Sequence, residues 1–183
     1  MYIFLDTEFT DFVAPSLISI GLVTESGQQF YAERNDVDLS RCSDFVKMVV
    51  LPKLGRFPRR IVDSAKMAEQ LAAWVSQFAS QEPTIAYDFH VDWSLFVEAL
   101  GRDVPPWLAH RNVDDEIDDL AREWFFVESG LDDHHSLNDA LANRAAFWGR
   151  KVRKFGRLKC KVRIADDFDA ALSEDVIAAF EGR

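Results

Sequence analysis

Two carboxylates stand two residues apart at the end of an apolar run, in Tyr2-Ile3-Phe4-Leu5-Asp6-Thr7-Glu8. In a β-strand such residues share a face, so Asp6 and Glu8 project to the same side. Two unit charges about 4 Å apart at an effective dielectric of 20 repel by roughly 4 kcal/mol. Beside Phe4, Leu5 and Phe9, the pair is stable only with a cation near it, unless the strand ends there and water solvates both acids. Further acids follow. The strand-like segment Thr84 to Tyr87 runs into Asp88-Phe89-His90-Val91-Asp92-Trp93, an acid-bearing loop that opens a helix. In Asp132-Asp133-His134-His135-Ser136-Leu137-Asn138-Asp139, a loop histidine precedes a helix-borne aspartate by five residues. Each piece alone has an ordinary reading: Asp92 as a first-turn helix charge, the histidines as polar loop residues between caps.

The elements that must position these groups can be read from periodicity. Residues 2 to 6, 17 to 24 and 28 to 33 read as strands with short connections, which favours an antiparallel meander. A short helix is expected between Ser43 and Leu51, capped by Ser43 and stopped by Pro52, and a basic loop with Lys53, Arg56, Arg59 and Arg60 follows. From Ser64, taken as an N-cap, Met67, Leu71, Trp74, Val75 and Phe78 fall on one helical face. The spacing then predicts a strand over 84 to 87 and a helix from about Asp92 to Leu100. The acidic run 114 to 119 reads as the solvated start of a helix continued by Ile117, Leu120, Ala121, Trp124 and Phe125, and Leu137 to Trp148 as a last core helix. A meander followed by alternating strands and helices indicates an α/β fold, a mixed sheet with helices packed on it.

In this order, the three acidic segments resemble the motifs of the DEDDh-type 3′-to-5′ exonucleases, the family of RNase T, oligoribonuclease and polymerase proofreading exonucleases. The resemblance covers residues 1 to 149. It implies a ribonuclease H-like fold, with an antiparallel meander plus parallel strands flanked by α-helices. It also implies metal ligation by Asp6, Glu8, Asp92 and Asp139 around two ions, and a general base at His134, since a neutral histidine can take a proton from water near neutral pH. An all-oxygen ligand set suits hard ions, Mg²⁺ with Mn²⁺ as a substitute, and disfavours zinc. The expected reaction is hydrolysis from the 3′ end of single-stranded nucleic acid, RNA preferred over DNA, releasing nucleoside 5′-monophosphates. The alternative is an inactive nuclease-fold module that binds nucleic acid or protein. Asp88 stands where the family often has Asn, which leaves open whether Asp88 or Asp92 is the motif acid. His135 is read as a loop residue or helper, and His90 and His110 as structural or solvated.

Composition sets the outer limits. The chain has 183 residues, 48% of them hydrophobic, with 15 Phe and 5 Trp, which excludes a disordered, collagen-like or coiled-coil chain. The net charge of -10 argues against nonspecific adhesion to nucleic acid or anionic membrane. That charge is uneven, because residues 150 to 163 hold eight basic and no acidic side chains. Within this strip Arg157, Lys159, Lys161 and Arg163 alternate with Leu158, Cys160, Val162 and Ile164, as on a strand with one cationic face. That face, with Arg56, is a candidate contact for a substrate backbone, or an edge strand protected by charge. Thr7 and Phe9 join it as candidate substrate contacts, Phe9 by stacking on a base. Trp93, Trp124 and Trp148 read as core. Residues 1 to 149 are expected to form the catalytic domain, and 150 to 183 a basic strand and C-terminal helix packed on it. Two cysteines without metal-ligand spacing, no basic leader and no run of about 20 apolar residues suggest a cytoplasmic protein without a membrane span. A homodimer stays open.

Overall fold

The computed structural model describes residues 1–101 and 103–149, with the single position 178. Arg157, Lys159, Lys161 and Arg163, and the C-terminal helix expected over 150 to 183, lie outside the described residues. A mixed six-stranded sheet organises the chain, in the order β4-β3-β2-β1-β5-β6. The strands are β1 (Tyr2–Phe9), β2 (Leu17–Thr24), β3 (Gln29–Arg34), β4 (Ile61–Val62), β5 (Thr84–Tyr87) and β6 (Ala109–Asn112). The expected meander is present, since β1–β2 and β2–β3 pair antiparallel, while β3–β4, β1–β5 and β5–β6 pair parallel. Helices α1 (Ser64–Ser76), α2 (His90–Leu100), α3 (Asp119–Ser129) and α4 (Ser136–Gly149) complete an α/β architecture compatible with a ribonuclease H-like fold. Among the described residues no helix is long and apolar enough to cross a membrane.

Alternation along β1 divides the interior. Ile3 and Leu5 enter an apolar core with Met67, Leu71 and Val75 of α1 and Leu95 and Phe96 of α2. Phe4 points the other way, packing with Val23, Ala140 and Phe147 beneath α4. By the same two-residue rule Asp6 and Glu8 continue on the Phe4 face, toward α4, and Thr7 on the α2 face. Gly21, opposite Asp6 in the ladder, lets α4 sit on the sheet. A β-carbon there would come within 2.4 Å of the Ser136 and Leu137 backbone, so only glycine admits the first turn of α4 at this place. Buried Ser19 and Ser136 hydroxyls, 3.0 Å apart, fasten the same contact.

Several expectations need correction. Asp63, not Ser64, caps α1, its carboxylate accepting from the Lys66 amide at 2.7 Å. Helix α2 begins at His90, two residues early, so Asp92 lies inside the first turn and Phe89 holds the cap position. Between Ser43 and Leu51 the chain forms a wide π-helical turn, Val46–Val50, and Pro52 falls inside the 3-10 turn that follows instead of stopping the helix. The acidic run is also no single helix. A 3-10 turn spans Asp114–Glu116 and α3 starts afresh with Asp118 as its cap, accepting from the Ala121 amide. Leu120 (77% exposed) and Trp124 (38%) therefore lie toward solvent instead of in the core. Trp93 does pack against the core, with its ring 4.1 Å from that of His110. The strands β4 and β6 are additions that the periodicity did not announce.

Candidate active site

The C-terminal ends of β1 and β5 and the first turns of α2 and α4 bring five carboxylates together. Oxygens of Asp6, Glu8 and Asp139 all lie within 4.8 Å of one another, and so do oxygens of Asp6, Asp88 and Asp92. The two triads share Asp6. All four acids expected at the site are thus gathered, and Asp88 joins them, so Asp88 and Asp92 are both beside Asp6. Local hydrogen bonds fix their directions. The Thr7 hydroxyl donates to Asp92 Oδ1 at 2.6 Å, joining β1 to α2. The His135 amide donates to Asp139 Oδ2 at 2.9 Å, holding that carboxylate over the start of α4. Arg122 of α3 donates to Asp88 Oδ2 at 3.1 Å, while Asp88 Oδ1 is buried without a partner.

The electrostatics follow from this crowding. Burial, and then the charges of Asp139 and Asp92, push Glu8 up to about 8. Burial raises Asp92 and Asp139 each to about 7, against the opposing hydrogen bonds from Thr7 and His135 respectively. Asp6, at the centre, is raised well above the usual carboxylate range by burial and then by Asp139, Asp92 and Glu8. Asp88 is raised by burial, with Arg122 pulling the other way. Without a counter-cation the group must hold protons at neutral pH. The Lys53 charge pulls Glu8 and Asp139 the other way, but its ammonium is taken by Asp133, through the backbone oxygen at 2.7 Å and Oδ1 at 2.9 Å.

The carboxylates open into a cavity of about 740 Å³, lined in part by Phe9, Phe12, Phe45, Phe89 and Phe126. Phe9 lies nearly parallel to Phe89, with centroids 6.4 Å apart, and Phe12, 78% exposed, meets both edge-on. His134 lines the same cavity with its side chain 44% exposed and its ring edge-on to Phe45. Its backbone adopts φ 48°, the left-handed region that a non-glycine residue occupies at a cost of order 1–3 kcal/mol and that concentrates at functional sites. His135, next to it, is buried and stacks on Tyr31 at 4.6 Å. Tyr31 in turn donates to buried Glu33 at 2.9 Å.

No family model matches the chain. Over a stretch of 55 residues it is 46% identical to two curated proteins of Mycobacterium tuberculosis, "3'-5' exoribonuclease Rv2179c" of strain H37Rv and "3'-5' exoribonuclease MT2234.1" of strain CDC 1551. The likeness is partial. It covers 30% of this chain and spans about a third of each relative's length, 33%.

Of the residues expected to touch substrate, Thr7 and Phe9 line the cavity, although the Thr7 hydroxyl is directed at Asp92. Arg56 is not part of that lining and pairs with Asp132 at 2.8 Å. Arg122 and Asn143, which do line it, went unrecognised. Arg122 lies 34 residues from its partner Asp88, and no local pattern marks such a pair.

Proposed function

We propose that this chain is a metal-dependent 3′-to-5′ exonuclease of the DEDDh type, acting on single-stranded nucleic acid, with RNA preferred over DNA. The observation that carries the reading is the pair of carboxylate triads sharing Asp6 at the floor of an aromatic cavity. The donor chemistry fits hard divalent ions: five carboxylates, no thiolate, and a buried Asp88 oxygen lacking any other partner. Asp6, Glu8 and Asp139 would hold one ion, and Asp6 with Asp92 a second. Bound in this way, such ions stabilise the charge developing on the attacking and leaving oxygens of an in-line displacement at phosphorus. Mg²⁺ is the proposed physiological ion and Mn²⁺ its substitute. The name of the partial relatives favours RNA.

The chain's own residues divide the remaining work. His134, at the cavity wall, accepts the proton of the attacking water as general base, held in place by its left-handed backbone and the Phe45 ring. Phe9 and Phe89 offer faces for terminal bases, a contact that tolerates any sequence and is worth about 1–3 kcal/mol per base. A cavity of about 740 Å³ is of the size that encloses small organic ligands, enough for one terminal nucleotide. Arg56, and separately Arg157, Lys159, Lys161 and Arg163, are proposed by their charge alone as contacts to substrate phosphates. The test is a panel of 5′-labelled RNA and DNA oligomers with Mg²⁺, with and without chelator. Stepwise 3′ shortening with mononucleotide release, abolished by chelator, supports the reading. Intact oligomers, or internal cuts, contradict it.

A further inference from the structure

Asp88 is left over by the four-acid scheme, yet its surroundings are those of a ligand. Oδ2 is held by Arg122 at 3.1 Å, Oδ1 is buried without a well-formed hydrogen bond, and a carboxylate oxygen of Asp88 lies within 4.8 Å of oxygens of both Asp6 and Asp92. A second observation points the same way. Asn143 of α4 is 2% exposed and lines the same cavity with its side-chain amide acting on Asp88 as a donor, while its own Oδ1 is unpartnered. Buried acceptors so sparsely satisfied are costly unless an electropositive group lies against them. A structural ion pair with Arg122 explains one Asp88 oxygen. It does not explain the other.

We infer that Asp88 is a fifth metal ligand, binding with Asp6 and Asp92 the second of the two ions, and that Arg122 is a counter-charge that competes with that ion for Asp88. The charge balance supports this division. Five ionised carboxylates carry five negative charges and two divalent ions return four; Arg122, shared between Asp88 and Asp119 at 3.1 Å each, and Lys53, paired with Asp133, are the cations beside them. The sequence consequence is that the aspartate at position 88, where the resemblance in the motif leads one to expect Asn, adds charge to one ion site and leaves the Glu8–Asp139 side unaltered. Arg122 also competes: each strengthening of its grip on Asp88 Oδ2 withdraws electron density from the ion.

This inference rests on the proposed metal-dependent function, and a Mn²⁺ titration followed by the electron paramagnetic resonance signal of the free ion separates the two. Metal-free wild type is expected to take up two Mn²⁺. Asp88→Asn, close to isosteric, is expected to weaken one site about tenfold or more and leave the other within about twofold. Two sites of wild-type affinity in Asp88→Asn would overturn the fifth-ligand assignment alone, whereas no uptake by wild type would overturn the functional reading beneath it. If Asp88→Asn does not fold, Arg122→Gln carries the test. Releasing Asp88 Oδ2 then tightens one site severalfold, and unchanged affinities in that variant mean that Asp88 only anchors α3.

Discussion

The two faces of the sheet are built on opposite principles. Toward α1 and α2 the interior is mostly apolar, with Ile3, Leu5, Leu71, Ile85 and Phe96 fully buried and Thr7 and Asp92 as a buried polar pair at its edge. Around the first turn of α4 the buried polar residues are Glu8, Ser19, His135, Ser136 and Asn138, with Asn143 further along the helix, whereas Phe4, Val23, Ala140 and Phe147 form an apolar cluster beneath the rest of it. Burial of the first kind stabilises the fold at about 25 cal/mol per Å² of apolar surface; burial of the second kind works against it until each group finds a partner. The molecule thus concentrates its electrostatic strain where the first turn of α4 meets β1, and its stability in the apolar clusters on either side of the sheet. The strand β1 serves both, with odd and even residues divided between them.

That contrast can be broken most forcefully at Asp6. Asp6→Asn is expected to reduce nuclease turnover by at least about 10³-fold, since the shared ligand of both triads is lost. The same change is expected to raise the melting temperature of the metal-free protein by several degrees, because Asn is neutral without the proton that buried Asp6 must take up. A lower melting temperature would contradict the picture of a strained site. His134→Ala separates proton transfer from ion binding: turnover falls by roughly 10² to 10⁴ while Mn²⁺ uptake is retained. Full activity in single-turnover assays would remove His134 from the mechanism. On the apolar face the effects reverse. Phe96→Ala should cost about 3–5 kcal/mol in denaturant unfolding yet leave per-molecule activity unchanged under conditions where it stays folded.

The smallest effect is spread over several groups and is read from pH. Glu8, Asp92 and Asp139 have folded-state values near 8, 7 and 7, all raised above their unfolded ones. The folded chain therefore holds protons that the unfolded chain releases. The associated stability is fully present below about pH 4 and is lost as the pH rises through 7 to 8. Melting curves of metal-free protein should shift downward across that window, and saturating Mg²⁺ should flatten the dependence. A melting temperature that rises with pH in the absence of metal would contradict the sign.

The site was legible in the sequence where its logic is local. Asp6 and Glu8 are related by strand alternation, and His134 and Asp139 by the passage from loop to helix, so a single segment suffices to place each pair. What joins segments was not legible. Whether Asp88 or Asp92 belongs to the site depends on where α2 begins, and the helix pattern of Leu95, Phe96 and Leu100 does not mark the two residues by which it starts early. Lys53 and Asp133 are 80 residues apart, beyond any periodic signal. In the fold, β6 escaped because its four residues, Ala-His-Arg-Asn, are all exposed and show none of the alternation that marks a half-buried strand. The same signal misled in α3, where Leu120 and Trp124 have core spacing but face outward, since the helix begins anew at Asp118 and buries no residue fully.

The central claim is that the carboxylates hold protons only in place of divalent cations, and proton release on metal binding tests it most directly. Titration calorimetry of metal-free protein with Mn²⁺ at pH 6.5, in buffers of different ionisation enthalpy, gives the protons displaced per chain. Release of at least one proton is expected at that pH, declining toward zero well above pH 8 as Glu8, Asp92 and Asp139 ionise unaided. Mn²⁺ uptake without proton release at pH 6.5, or no uptake at any pH, would contradict it.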